Sequence, residues 1–253
     1  MNIQVLVAAM NQSDRSLLEK MNIKTDVIVG NQCDRNSVEH FEFDGHRATY
    51  LNFAERGVGL NRNNALMRAD GDICLFADDD MVYSDDYAEK VAKAFEDNPR
   101  ADIIVFNLAE KNGERYIIKK KHRVGRHNYL RYGAARIAVR LARVREKTIY
   151  FNQLFGGGTE HSHGEDTIFL TDCLSAGLKI YAVPEFIAEL TEERSSTWFE
   201  GYTDKYFIDK GILLRHISPR LHGLFALLLA LKHRRGYKKF GVKKALRLMI
   251  YGK

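Results

Sequence analysis

Gly57-Val-Gly-Leu-Asn-Arg-Asn-Asn-Ala-Leu-Met-Arg-Ala-Asp-Gly-Asp-Ile-Cys-Leu-Phe-Ala-Asp-Asp-Asp80 is the stretch whose reading decides the fold. Leu60–Ala69 has the composition of a helix, Asp70-Gly71 breaks it, and the apolar, β-branched and aromatic run through Ala77 predicts a buried strand. That strand delivers Asp78, Asp79 and Asp80 at its end. Three adjacent carboxylates repel one another. A hard divalent cation, Mg²⁺ or Mn²⁺, relieves the repulsion and keeps positions open for phosphate oxygens. Taken alone, the triplet also fits a solvated acidic turn before a helix starting near Ser84.

The flanking sequence extends the alternation. Ile3–Ala9 predicts a first strand, Ser13–Met21 a helix, and Asp26–Gly30 a second strand running into Asn31-Gln32-Cys33-Asp34. Ala48–Phe53 predicts a short third strand, Asp85–Asp97 a helix stopped by Pro99, and Asp102–Leu108 a further strand. Strand and helix in alternation describe a doubly wound α/β layer, whose ligands bind beyond the carboxyl ends of the strands. Asn11, Asn31 and Asp78 all fall at such ends, so one cleft can collect them.

The chain has 253 residues, 45% hydrophobic, with three prolines, enough for one large domain with a buried core. Cys33, Cys74 and Cys173 are scattered without metal-ligand spacing, which predicts a reducing compartment and no structural zinc. The sequence opens on strand one, so no leader or anchor is expected. Charge is segregated. Residues 210–253 hold twelve Lys/Arg and no Asp or Glu, leaving a net of about −6 on residues 1–209, a division that suits attraction to a polyanionic surface. Residues 111–147 carry thirteen Lys/Arg against two Glu, with Tyr116, Tyr129 and Tyr132 interleaved. No nucleic-acid motif accompanies them. Ile137, Leu141 and Val144 recur at helical spacing, so a solvated amphipathic helix or contacts with an anionic ligand account for the segment, and no nucleic-acid partner is expected.

Glycine, Arg62-Asn63 opening a helix, Ala69-Asp-Gly71-Asp72, and a strand ending in Asp78-Asp-Asp80 together resemble glycosyltransferase family 2. The resemblance continues at Gly164-Glu165-Asp166-Thr167, similar to the family's Glu-Asp motif, and covers about residues 1–190. Ser196–Tyr202 through Lys210-Gly211 resembles a segment of bacterial surface-polysaccharide members. Two departures fall in the nucleobase pocket. The usual Pro-Thr-Tyr-Asn reads Ala8-Ala9-Met10-Asn11, and paired aspartates after strand two are replaced by Asn31-Gln32.

The resemblance implies a GT-A fold: a Rossmann-like α/β layer with a mixed, mainly parallel sheet. It also implies a metal-dependent, inverting transfer of sugar from a nucleotide sugar, UDP by family default, to a polysaccharide or lipid-linked glycan of the envelope or capsule. By resemblance Asp80 holds Mn²⁺ or Mg²⁺ with Asp78. Ala9, Asn11, Asn31, Arg62, Asp78 and Asp79 border the nucleotide sugar, and Asp166 is the base, with Glu165 orienting the acceptor. Arg62 at a helix start would meet phosphate with its own charge and the helix dipole. Gly157 and Gly158 in a flexible glycine run, and Trp198 beside Phe199 and Tyr202, are acceptor candidates; His161 and His163 could bring an imidazole near the metal. Core packing for Trp198 and ordinary loop roles for the histidines remain alternatives.

The expected division places the catalytic layer at 1–209, its nucleotide half over about 1–110, and a basic helical region at 210–253. Leu221–Leu231 is nearly all apolar but shorter than the ~20 residues that span a bilayer. With the lysines and arginines that follow, and Phe240, Leu246, Met249 and Ile250, it predicts either an interfacial helix on anionic lipid at the inner face of the membrane or a helix packed on the catalytic layer. A sugar nucleotidyltransferase would need a glycine-rich phosphate loop after strand one, and Ala8–Ser13 has no glycine. A non-catalytic basic module would leave Asp78, Asp80 and Asp166 without a purpose.

Overall fold

The computed structural model of the chain describes residues 1–110, 116–191, 201–237 and 240–253. The chain runs β1 (Ile3–Met10), α1 (Ser16–Lys20), β2 (Asp26–Gln32), β3 (Ser37–Phe43), β4 (His46–Phe53), α2 (Val58–Arg68) and β5 (Ile73–Asp78). There follow β6 (Met81–Tyr83), α3 (Tyr87–Glu96), β7 (Ile103–Ala109), β8 (His122–Val124), β9 (Ile137–Arg140), α4 (Leu141–Glu146), α5 (Glu165–Ser175) and β10 (Ile180–Leu190). Three helices close it: α6 (Asp204–Ile217), α7 (His222–Lys232) and α8 (Val242–Tyr251).

The ten strands form one sheet in the order β3-β4-β2-β1-β5-β9-β7-β10-β6, with β8 on β10. β4, β2, β1, β5, β7 and β10 share a direction and the other four oppose it. Both faces of the central strands are covered, which is why β1 from Val5 and β5 as far as Ala77 are continuous apolar runs. One core contains Val5, Val7, Leu18 and Phe95; the opposite one contains Leu6, Phe76, Leu66 and Phe169.

β10 has two register irregularities, one between Ala182 and Phe186 that contains Pro184 and Glu185, and one between Phe186 and Ala188. Bulges bend a strand and accommodate proline. Beyond the bend, Ala188–Leu190 pair with β6, and the Thr191 amide donates to the Asp80 carbonyl at 2.8 Å. The turn carrying Asp79 and Asp80 is thereby fixed from the far end of the sheet.

The basic stretch is not a solvated helix. Ile137 lies on a strand, and among the described residues of the stretch only Leu141–Glu146 is α-helical, with single 3-10 turns at Tyr129–Arg131 and Ala134–Arg136. Three of its arginines serve main-chain carbonyls: buried Arg136 donates to Phe106 O at 2.7 Å and Tyr116 O at 2.8 Å. Arg140 reaches Ala101 O at 2.8 Å, and Arg145 reaches Ala69 O at 2.6 Å, just past the end of α2. Apolar residues recurring at helical spacing belong here to a strand followed by one and a half turns of helix.

The expected boundary at 209/210 falls inside α6, which is continuous. α6, α7 and α8 share a core of Phe207, Leu214, Ala226, Ala230, Tyr237, Ala245, Leu248 and Met249. Thus Met249, expected on an interfacial helix, is buried against α6. Gly211 makes the crossing possible: a Cβ there would lie 2.1 Å from Met249 O. Gly211→Ala should therefore destabilise the fold by about 1–3 kcal/mol through overpacking. Thermal unfolding followed by circular dichroism checks this; an unchanged Tm would mean the two helices cross less closely.

Candidate active site

The acidic turn sits at the carboxyl end of β5, beside the ends of β1 and β2. Arg62 lies beneath it. Its side chain is 5% exposed, and its guanidinium donates to Asp78 at 2.6 Å and to Glu165 at 2.8 Å. α2 begins at Val58, so Arg62 stands in the second turn and not at the helix start the sequence suggested. It ties β5 to the first residue of α5. The two carboxylates outweigh burial and hold the guanidinium firmly charged.

Asp166 follows Glu165 in the first turn of α5. Burial, reinforced by the like charge of Glu165, pushes its carboxyl up to about 6, against the Thr167 amide and the cations Arg62 and Lys210. Thr167 N donates to Oδ1 at 2.5 Å. Desolvation thus lifts this carboxyl above the range usual for a carboxylate in the first turn of a helix. Lys210 of α6 lies on the other side, and burial moves its ammonium down to about 8 even though Asp166 favours the charge. Sequence reading passed over Lys210 as a site residue, since it lies more than forty positions beyond Asp166 in another helix.

A model of glycosyl transferase family 2 matches residues 11–164. That is more than half of the chain. The chain belongs to glycosyltransferase family 2. No curated protein matches it. Among solved structures it is similar to S. aureus TarS 1-349 in complex with UDP-GlcNAc, at TM-score 0.62 and 19% identity, over 85% of this chain and 66% of that one. S. aureus TarS 1-349 in complex with UDP gives 0.60 and 19%, over 85% and 65%, and S. aureus TarS gives 0.60 and 18%, over 85% and 39%. The chain thus spans less than two thirds of the length of these three structures. The likeness shows the fold, a GT-A layer with C-terminal helices.

Within this family 2 fold, the residues that depart from the usual motif hold the cleft's walls. Asn31 is fully buried; its amide donates to Gln12 O at 2.9 Å and Asn52 Oδ1 at 2.7 Å, and its oxygen accepts from Gln12 N at 2.9 Å. It fixes the loop after β1, and both its N–H groups are committed inside the protein, so it does not offer them to a base edge. Gln32 accepts from Gly57 N at 2.8 Å at the start of α2. An amide can serve donors and acceptors at once, which an aspartate cannot. Asp79 accepts from Met10 N at 3.3 Å and Gln12 Nε2 at 3.2 Å, joining the acidic turn to β1. Ala9 is buried and offers only backbone, already in register with Asn31, whereas Asn11 is exposed with φ 53° in the left-handed region asparagine tolerates.

The glycine run is held, not loose. Gly157 O accepts from Val58 N at 3.0 Å, and Gly156, at φ 103°, lets Val58 and Glu165 come within 2.6–2.8 Å of where a Cβ would stand. Gly158 backs onto Gly57, leaving Gly157 as the open position. His161 and His163 turn toward α6. His161 Nδ1 is 3.1 Å from Asp209, and His163 stacks on Tyr206. Burial and nearby Lys210 push the His163 imidazole down to about 3, so it is neutral. Although burial opposes its charge, Asp209 is held below the usual carboxylate range by Lys205, Ser162 and His161. Trp198 and Phe199 lie outside the described residues.

Proposed function

We propose that this family 2 chain moves a sugar with inversion from a nucleotide sugar, UDP-linked by family default, to a hydroxyl of a polysaccharide or lipid-linked glycan. The observation that carries the reading is the Arg62 clamp, which sets the acidic end of β5 and the raised carboxyl of Asp166 on one cleft. The TarS structures holding UDP-GlcNAc and UDP support a nucleotide sugar as donor.

Asp166 takes the proton of the acceptor hydroxyl as its oxygen bonds to the anomeric carbon. The bond from that carbon to the diphosphate breaks from the opposite face, and the nucleoside diphosphate leaves with the electron pair. Glu165, held by Arg62, orients the acceptor side, and Gly157 gives it room. Ala9, Asn11 and Asp79 line the nucleotide end, with Asn31 positioning the loop from behind. Residues 1–209 would supply this chemistry, and residues 210–253 would bring it to the inner face of a membrane where a lipid-linked acceptor resides.

The oxygen set suits a metal. Among the described residues no three His, Cys, Asp or Glu gather as a protein-only site. Mg²⁺ and Mn²⁺ are commonly held by one or two carboxylates with substrate phosphates completing the shell. Asp80, with Asp78 beside it, would hold the ion, which when bound supplies charge neutralisation at the diphosphate. Asp80→Asn should lower donor turnover by about 10²–10³-fold with the fold intact. A screen for UDP, GDP or dTDP release from their sugars, with and without EDTA, tests both donor and metal. Full activity in EDTA would end the metal assignment, and no release from any donor would end the transfer reading.

A further inference from the structure

α7 presents two unlike faces. Ala226 and Ala230 are buried against α6 and α8, but Leu221, just before its start, and Leu224, Leu227, Leu228 and Leu231 along it are 50, 50, 42, 51 and 52% exposed. At 100° per residue the five leucines fall within an arc of about 120°. Apolar patches of this kind on a folded surface mark a binding site. The helix has eleven residues, about 16 Å, and no described helix is long and apolar enough to cross a membrane.

The charges around that face say what covers it. Arg220 precedes the helix, Lys232 ends it, and Arg234 and Arg235 follow, all exposed. Residues 210–253 contain no acidic side chain, whereas residues 1–209 are net acidic. A second copy of this chain would bring like charge against like at this face, and an acidic protein surface would not need five exposed leucines. Leucines on one side with arginine and lysine at both ends match an anionic bilayer interface, where the apolar arc enters the acyl boundary and the cations meet headgroups. α6 links this unit to the catalytic layer: Leu213 packs on Phe155 and Ile168, and Lys210 borders Asp166.

We propose that the Leu221–Leu231 face of α7 docks in the plane of an anionic lipid surface, with Arg220, Lys232, Arg234 and Arg235 on the headgroups. α8, whose apolar residues face α6, serves as its support and stays out of the lipid. The docking needs no transferase assay, so its failure and that of the proposed reaction are separable.

The test is flotation of the full chain with phosphatidylcholine vesicles, with and without about 30 mol% phosphatidylglycerol. Wild type should float with the anionic vesicles at least about tenfold better than with neutral ones. Raising salt from about 0.1 to about 0.5 M should release most of it. Leu224→Ser with Leu228→Ser should lose at least about tenfold in binding, and so should Arg234→Gln with Arg235→Gln. All four side chains are exposed, so circular dichroism and Tm should stay at wild-type values. Equal flotation of the leucine variant would overturn the proposal. So would absence of flotation by wild type; a dimer mass by light scattering, lost in the leucine variant, would then assign the face to a second copy.

Discussion

Asp166→Asn should lower transfer by about 10²–10⁴-fold while donor affinity stays near wild type. The amide keeps an oxygen for the Thr167 N–H and occupies the same volume, so the start of α5 is preserved. What is lost is the proton acceptor. Burial and Glu165 place the wild-type carboxyl at about 6, and only its ionised form can take a proton. Turnover at saturating donor and acceptor should therefore be level above about pH 7 and fall toward tenfold per pH unit below about 6. Calorimetry of donor binding beside a pH profile of turnover checks both halves. A profile flat from pH 5 to 8, or a variant that still transfers at the wild-type rate, would remove Asp166 from the chemistry and point to Glu165.

Arg62→Met should damage stability and activity together. It removes the one cation that bridges Asp78 and Glu165 and leaves two carboxylates facing each other across the space it filled. Breaking a buried pair costs about 3–5 kcal/mol; here the lower end applies, because the Asp78 side chain is 40% exposed and water can resolvate it. Without the clamp, the first turn of α5 loses its polar tie to β5 while the apolar packing of Phe169 on Phe76 remains, and misplacing the base by about an ångström costs ~10²-fold in rate. Arg62→Lys separates charge from geometry: an ammonium can reach one carboxylate but lacks the fork for both. It should recover part of the stability and little of the rate. Urea unfolding with kcat/KM for the three proteins measures this, and wild-type stability in Arg62→Met would refute the clamp.

The elements that bear the candidate site were legible in the sequence because their signals are local. An apolar run ending in acids sets β5 and its turn within eight residues, Ile73 to Asp80, and the Arg-Asn pair of α2 and the Gly-Glu-Asp motif are equally contiguous. β3 was also legible and went unread. Ser37–Phe43 alternates in burial, and Asp44-Gly45, at φ 50° and 76°, is the dipeptide hairpin turns favour. Strand length was the weaker signal, since β6 has three residues and draws its stability from pairing with β10.

By itself, then, the sequence determined the α/β layer, the acidic strand end, the candidate base and the charge division between body and tail. Tertiary structure alone decided the pairings that cross the chain. Arg62 meets Glu165 across 103 positions, a partner no spacing rule names. Asn31 turned inward because Gln12 and Asn52 converge on it, and Arg136, Arg140 and Arg145 went to carbonyls exposed by other elements. The pKa of Asp166 depends on how deeply α5 and α6 enclose it, a quantity set by packing. The tail shows the same limit. Its composition suits lipid and core alike, and only the docking of α8 and of the alanine face of α7 on α6 separates buried apolar residues from the five leucines left at the surface.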